Sequence, residues 1–268
     1  MPAPAPGVAG RLRAAGCVFA EDEAALLAGA AGSPGELEAM VAARERGLPL
    51  EQVIGWAEFR GLRILVDPGV FVPRRRSEFL VQTAISLATG PVIVDLCCGT
   101  GALGLAVLEA LGDAGGWPAE LHAADLAPAA VACARRNVEP AGGHVYQGDL
   151  FAPLPARLRG LVGVLICNAP YVPTGEISFM PPEARDHEAR VALDGGDDGL
   201  AVLRRVCAQA PGWLAPGGVV LVETSERQAA TMAAAMTAAG LRACVHGDEE
   251  TGATVVTGNA STAPPHGP

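Results

Sequence analysis

The residues whose types and spacing most plainly offer chemistry are Asn168-Ala169-Pro170-Tyr171. An Asn side-chain carbonyl and the backbone carbonyl that follows it can together hold both hydrogens of one NH2 group. An amide nitrogen is a poor nucleophile because its lone pair is delocalised. Holding both N–H bonds sets the direction of that lone pair, so positioning supplies most of the rate. Electrostatic selection of the developing charge adds to it. No general base is required, since the transferred-to nitrogen loses its proton readily after attack. Tyr171 would pack against the acceptor. Read this way, the four residues are the floor of an amide or amine N-methylation site. As an isolated tetrad they serve equally well as a strand-ending turn.

The preceding residues, Gly163-Val164-Leu165-Ile166-Cys167, read as a buried parallel strand. Pro170 has no N–H and holds Ala169 extended, so the strand should stop at Asn168. Asn168 then stands at the carboxyl end of a central strand, where open α/β sheets bind ligands.

A second stretch, Asp95-Leu96-Cys97-Cys98-Gly99-Thr100-Gly101-Ala102-Leu103-Gly104, joins a strand to a helix. Gly99-x-Gly101-x-x-Gly104 matches the dinucleotide fingerprint, which also occurs in tight turns that bind nothing. Asp95 sits four residues before Gly99. A carboxylate there repels a pyrophosphate and suits a ligand carrying an ammonium and a sulfonium, as S-adenosyl-L-methionine does. Asp125, at the end of the next strand, can accept both hydroxyls of a ribose. Asp149 can accept from an adenine amino group, with Leu150 or Phe151 against the ring. Each Asp could instead cap the helix that follows it. Three acids closing three successive strands are harder to explain as caps.

The elements that position these residues follow from periodicity. From Pro91 onward strands and helices alternate, which means a mostly parallel, doubly wound sheet. Strands are expected at 92–96, 121–125, 144–149, 163–168, 219–223, 241–246 and 254–257. Helices are expected at 102–111, 128–138, 198–213 and 226–239, with a long polar loop over 170–193. Upstream, residues 11–47 carry two or three helices through Leu12, Val18, Phe19, Leu26, Leu27, Leu37, Met40 and Val41. Ser33-Pro34 with Glu36 supplies a helix start. Trp56 to Val66 reads as a β-hairpin turned at Arg60-Gly61. A helix over 77–88 would be capped by Ser77. The expected division is a small helical region at 1–54, a hairpin linker at 55–72, the main α/β domain at 73–258 and a disordered tail at 259–268.

Composition bounds the rest. The chain has 268 residues, half of them hydrophobic, and a formal charge of −10. That charge argues against a phosphate-binding surface and hence against nucleic acid. No run of ~18 or more uncharged apolar residues is present to span a membrane, and the first residues lack the features of a signal peptide. Seven cysteines, an odd number and several in apolar elements, suggest reduced thiols and the cytoplasm. Cys97-Cys98 has no second spaced pair, so no metal site is expected.

These motifs together resemble the HemK-type glutamine methyltransferases, which modify the Gly-Gly-Gln loop of peptide chain release factors. The resemblance rests on Asp95 to Gly101, Asp125, Asp149 and the Asn168 tetrad. Pro49 to Gly55, Glu58-Phe59, Phe71-Val72-Pro73-Arg74, Ser77-Glu78, Pro182-Glu183, Leu193 to Gly196, Asp198 to Leu200 and Leu214 to Gly218 extend it, covering roughly 48–225. It implies a Rossmann-like class I S-adenosylmethionine-dependent methyltransferase with a seven-stranded, mostly parallel sheet. It implies catalytic roles for Asn168, Ala169, Pro170 and Tyr171. It implies cofactor contacts from Phe71, Pro73, Arg74, Asp95, Cys97, Gly99, Thr100, Gly101, Asp125, Leu126, Asp149, Leu150 and Asn168. Ala169 stands where the family usually has proline, and its backbone carbonyl preserves the required atom. The N-terminal helical region is shorter than the family's, and the last strand lacks the expected basic residues.

The expected activity is therefore N-methylation of a glutamine side chain in a protein such as a release factor. The alternative keeps fold and cofactor but takes a small-molecule amine, amide or guanidine, or a nucleobase. A nicotinamide-dependent reductase would leave the Asn168 tetrad unexplained, and a non-catalytic binding module would show no cofactor affinity.

Overall fold

The computed structural model describes residues 7–113 and 118–261. The start of the helical region expected at 1–54 and most of the tail expected at 259–268 fall outside that range. Within it, residues 8–10 open the first helix and Asn259 ends the last strand.

Four helices come first: α1 (Val8–Ala14), α2 (Ala20–Ala30), α3 (Pro34–Glu45) and α4 (Leu50–Ile54). Ser33 Oγ accepts from Glu36 N at 3.2 Å, and the Glu36 carboxylate accepts from Gly32 N at 2.8 Å. These bonds satisfy donors at the start of α3, and Pro34 takes the first helical position. Leu12, Ala20, Ala24, Leu27 and Val41 form a small core of their own. Val18 and Phe19 do not join it. They lie in the turn ahead of α2 and are exposed, because the helical period begins only at Ala20.

The hairpin pairs β1 (Trp56–Phe59) with β2 (Leu62–Leu65). Its turn places Arg60 at φ 50° and Gly61 at φ 80°, the two positive φ values that match the twist of paired strands. Asn137 fastens this hairpin to the main domain. Its Oδ1 accepts from Leu65 N at 2.9 Å, and its Nδ2 donates to Leu65 O and to Thr100 O.

The main domain then runs α5 (Glu78–Leu87), β3 (Val92–Leu96), α6 (Ala102–Asp113), β4 (Glu120–Asp125), α7 (Pro128–Val138), β5 (His144–Gln147) and β6 (Val162–Cys167). It continues with α8 (Pro182–His187), α9 (Ala201–Gln209), β7 (Leu214–Thr224), α10 (Glu226–Ala238), β8 (Arg242–Asp248) and β9 (Ala253–Asn259). The seven strands from β3 to β9 form one sheet in the order β5-β4-β3-β6-β7-β9-β8. It is parallel from β5 to β7, and β9 runs antiparallel to both β7 and β8. Order reverses between β3 and β6, so a crevice opens at their carboxyl ends. The central strands β3 and β6 are buried along their whole length, as continuous apolar runs covered on both faces should be. Val94, Leu165 and Val220 point into one core layer, and Ile93, Ile166 and Leu221 into the other.

Two expectations change. The 170–193 segment is not a featureless loop. It holds single 3-10 turns at Thr174–Phe179 and Arg190–Ala192 around α8, where Pro173, Pro181 and Pro182 set the backbone φ that such turns need. Ser77 does not cap α5. It is itself helical and makes no capping bond, and its hydroxyl is used elsewhere. Among the described residues, no helix is long and apolar enough to cross a membrane.

Candidate active site

One cavity of about 250 Å³ lies against the ends of β3, β4, β5 and β6, and every site residue that the resemblance implies lines it except Gly101. Gly101 works one layer behind. At φ 78°, it lets the turn pack on α7, where an added Cβ would meet Val138 Cγ2 at 2.6 Å. Gly99, at φ 56°, faces open space, so its backbone is what a ligand would meet. Two non-glycine residues of the cavity wall, Cys97 and Leu150, hold positive φ values of 56° and 50°. Such backbone outliers persist only where surrounding structure enforces them, and they gather at binding sites.

The three acids are used differently from one another. Asp95 is almost wholly buried, and its Oδ2 accepts from Gly104 N at 2.9 Å. Gly104 allows this approach, since a Cβ there would stand 2.9 Å from the same oxygen. Burial pushes the Asp95 carboxyl up to about 7, because the charged form is poorly solvated there. Asp125 accepts from Gly99 N at 2.9 Å through Oδ2 and from Ala127 N at 2.8 Å through Oδ1. It therefore shapes the glycine turn and starts α7 at once, while each oxygen keeps a lone pair for a ligand. Burial raises its carboxyl, and these N–H donors oppose the rise. Asp149 is half-exposed and paired with Arg205 at 2.5 Å. Arg205 also lines the cavity, so an adenine amino group would share Asp149 with a guanidinium. Phe151 is not a cavity residue: it is buried and stacks on Trp213 with ring centroids 5.3 Å apart.

The acceptor side is built around Asn168. Its Nδ2 donates to Ser77 Oγ at 3.2 Å. That bond leaves Oδ1 turned away from Ser77, and among the described residues nothing donates to Oδ1 or to the Ala169 carbonyl. Two adjacent residues of the cavity wall thus each keep an acceptor without a partner among the described residues. The rest of the tetrad is clamped through its backbone. Gln228 Nε2 donates to Tyr171 O at 2.9 Å, and Gln228 Oε1 caps α10 by accepting from Ser225 N. Val172 N donates to Leu193 O, and Val172 O accepts from Gly195 N, a parallel bridge to Asp194. A Cβ on Gly195 or Gly199 would collide with the carbonyls of Pro170 and Tyr171 at 2.7 and 2.2 Å. That close approach explains the Asp194-Gly195-Gly196 and Asp198-Gly199 pattern.

Four residues here were not picked out from the sequence: Ser77 for this role, Arg76, Glu223 and Gln228. Glu188 is buried rather than in a solvated loop, and its Oε1 accepts from Val72 N at 3.2 Å and Arg74 Nη2 at 2.6 Å. It ties the segment after α8 to Phe71–Arg74, so Arg74 is committed to a structural pair as well as to the cavity wall. Burial raises the Glu188 carboxyl against the pull of Arg74. Arg44 of α3 makes ion pairs at 2.9 Å with both Glu23 and Glu183, which joins the N-terminal helices to α8.

The sheet order, the glycine turn and the three acids define a class I methyltransferase, whose methyl donor is S-adenosylmethionine. A family model described as "Methyltransferase small domain" matches residues 61–189. A methyltransferase from Pyrococcus furiosus shares the fold, with a TM-score of 0.54 at 15% identity over 75% of this chain and 90% of that one. The release factor glutamine methyltransferase of Streptomyces coelicolor is 40% identical over 70% of this chain and 67% of its own length. The chain belongs to the release factor glutamine methyltransferase family. A 4-amino-L-phenylalanine/4-methylamino-L-phenylalanine methyltransferase of Streptomyces pristinaespiralis is 34% identical over 72% of this chain and 66% of its own.

Proposed function

We infer that this chain methylates the side-chain amide nitrogen of a glutamine in a release factor, with the Asn168 tetrad holding the acceptor. The observation that carries this reading is the Asn168–Ser77 bond. It fixes the Asn168 amide so that Oδ1 and the Ala169 carbonyl can each accept one N–H of the acceptor. Ala169 is buried and extended ahead of Pro170, so its carbonyl is held without the usual proline. Two carbonyls select a group with two hydrogens on one nitrogen, as a primary amide has.

On the cofactor side, Asp125 would take the ribose hydroxyls, and the turn from Cys97 to Gly101 would pass close to the donor. Asp149 and Leu150, with Leu126, would bound the base. Phe71, Pro73 and Arg74 would cover the opposite wall. The donor set fits the group: acids where it carries cationic and hydroxyl donors, and a bare glycine backbone where it comes close. When bound, S-adenosylmethionine supplies an electrophilic methyl group. The chain's own part is to orient the acceptor nitrogen, exclude water with the packed 3-10 turns and let the proton depart. The seven free thiols accord with the cytoplasm.

The test is mass spectrometry of a purified release factor incubated with the protein and S-adenosylmethionine. A single methyl on the glutamine of its Gly-Gly-Gln loop is expected. The small-molecule reading is favoured by the amino-acid methylating relative. Transfer to a small-molecule extract, and none to the release factor, would establish it instead.

A further inference from the structure

Glu223 belongs to no motif identified in the sequence, yet it stands beside the tetrad. Val222 pairs with Cys167 in register across β7 and β6, so Glu223 and Asn168 occupy equivalent places at two neighbouring strand ends. The Glu223 side chain is 2% exposed. Its Oε1 accepts from Arg76 Nε at 3.0 Å and from Tyr171 Oη at 3.3 Å. Arg76 Nη2 also donates to Tyr171 Oη, and its guanidinium lies 5.7 Å from the ring centroid. Consecutive residues of one turn therefore hold the two side chains of the tetrad: Ser77 holds Asn168, and Arg76 with Glu223 holds Tyr171.

The second carboxylate oxygen, Glu223 Oε2, is buried with no hydrogen-bond partner among the described residues. An acceptor left unpaired in that way costs stability. Replacing both members of a buried ion pair with apolar side chains is often neutral or stabilising, and removing one member is costly chiefly when the charge left behind is buried. A leucine would fill much the same space, and Arg76, half-exposed, would stay solvated. Stability alone thus gives a poor account of the carboxylate.

We propose that Glu223 is a positioning residue which, together with Arg76, fixes Tyr171 as the wall against which the methyl acceptor is held. The inference rests on the methyl-transfer reading of the site. Tyr171 lines the cavity while Glu223 does not, so Glu223 acts through its partners.

The test compares Glu223→Leu, Tyr171→Phe and the double variant in the full chain, with a release factor as acceptor. Glu223→Leu should lower kcat by about tenfold to a hundredfold, the range that small displacements of positioned groups produce. Its melting temperature should be equal or higher, and S-adenosylmethionine affinity by calorimetry unchanged. The double variant should be no worse than the poorer single one, because both remove the same device. Unchanged kcat, additive losses, or a fall in melting temperature that accompanies lost cofactor affinity would each overturn the proposal. An activity-independent readout comes from the chain's two tyrosines, Tyr146 and Tyr171. With 13Cζ-labelled tyrosine, Tyr171→Phe assigns the signals. The Tyr171 resonance should move in Glu223→Leu, and a static one refutes the contact. If the parent transfers no methyl to a release factor, the proposed function fails, while the tyrosine signal still decides the positioning of Tyr171.

Discussion

Asn168 and Ser77 are joined by one hydrogen bond, from the Asn168 Nδ2 to the Ser77 Oγ at 3.2 Å. Ser77 is fully buried, so no water replaces it. The bond decides which end of the Asn168 amide faces the cavity. Ser77→Ala would free the amide to rotate and leave an N–H unpaired. A net hydrogen bond is worth about 1 kcal/mol, so kcat should fall about fivefold. Cofactor affinity should hold, and Ser77→Thr should keep most activity. Steady-state kinetics with a saturating acceptor would check this; equal turnover in Ser77→Ala would detach Ser77 from the site.

Asn168→Ala removes the side-chain acceptor itself. The loss should appear in kcat rather than in cofactor binding, at about 10²-fold or more, as for other preorganised polar groups. Asn168→Asp separates the two acceptor classes. It should fail with a neutral amide, since its charge would have to be desolvated beside the acceptor. It should be tolerated with a cationic ammonium or guanidinium acceptor, where the charges are opposite. Near-normal turnover of Asn168→Ala on the true acceptor would end the orientation mechanism.

Asp125 couples cofactor binding to local folding, because its two oxygens already serve Gly99 N and Ala127 N. Asp125→Ala should weaken S-adenosylmethionine and also lower the stability of the ligand-free protein by about 1 kcal/mol, the cost of losing hydrogen bonds to two half-buried donors. Calorimetry measures the first effect and denaturant unfolding the second. A loss of affinity with unchanged stability would mean that the backbone turn holds without Asp125.

Much of this site could be read from the sequence, for a physical reason. Strand-ending acids, the glycine turn and the Asn168 tetrad are local patterns, each set by short-range backbone geometry. Alternation after Pro91 placed the strands within a few residues, since buried parallel strands are continuous apolar runs. What escaped was contact between distant segments. Arg76 and Glu223 are 147 residues apart, and a lone Glu ending an apolar strand carries no periodic signal. Ser77 reads as a helix cap because Ser is a preferred residue at helix starts; the bond to Asn168, 91 residues away, carries no local signal. The ion pairs of Glu188 and Arg44 escaped for the same reason: their partners, Arg74 and Glu183, are remote in sequence. Asp149 was read as free for a base, and Arg205 on α9 could not be foreseen beside it.

Asp95 gives the chain a pH signature of defined sign. Burial raises its folded-state carboxyl to about 7, whereas an unfolded Asp titrates near ~4. Between those values the folded protein holds a proton that the unfolded chain has released. Stability from this group is complete below about pH 4 and is lost as pH rises towards 7, because the folded state binds more protons there. The full loss is on the order of 4 kcal/mol. Asp95→Asn keeps an oxygen for Gly104 N and cannot ionise. The stability of Asp95→Asn minus that of the parent should therefore grow from pH 4 to 7 and level off above it. Carboxylates remote from Asp95 titrate equally in both proteins and cancel, and Asp125, whose charge also raises Asp95, is the neighbour that responds to the substitution. Urea unfolding at a series of pH values measures the difference directly. The cofactor's ammonium would favour the ionised form, so S-adenosylmethionine affinity of the parent should rise through about pH 7 while that of Asp95→Asn stays flat over the same range. A stability difference that does not vary with pH would show that Asp95 is already ionised within the folded chain, and that its bond to Gly104 outweighs its burial.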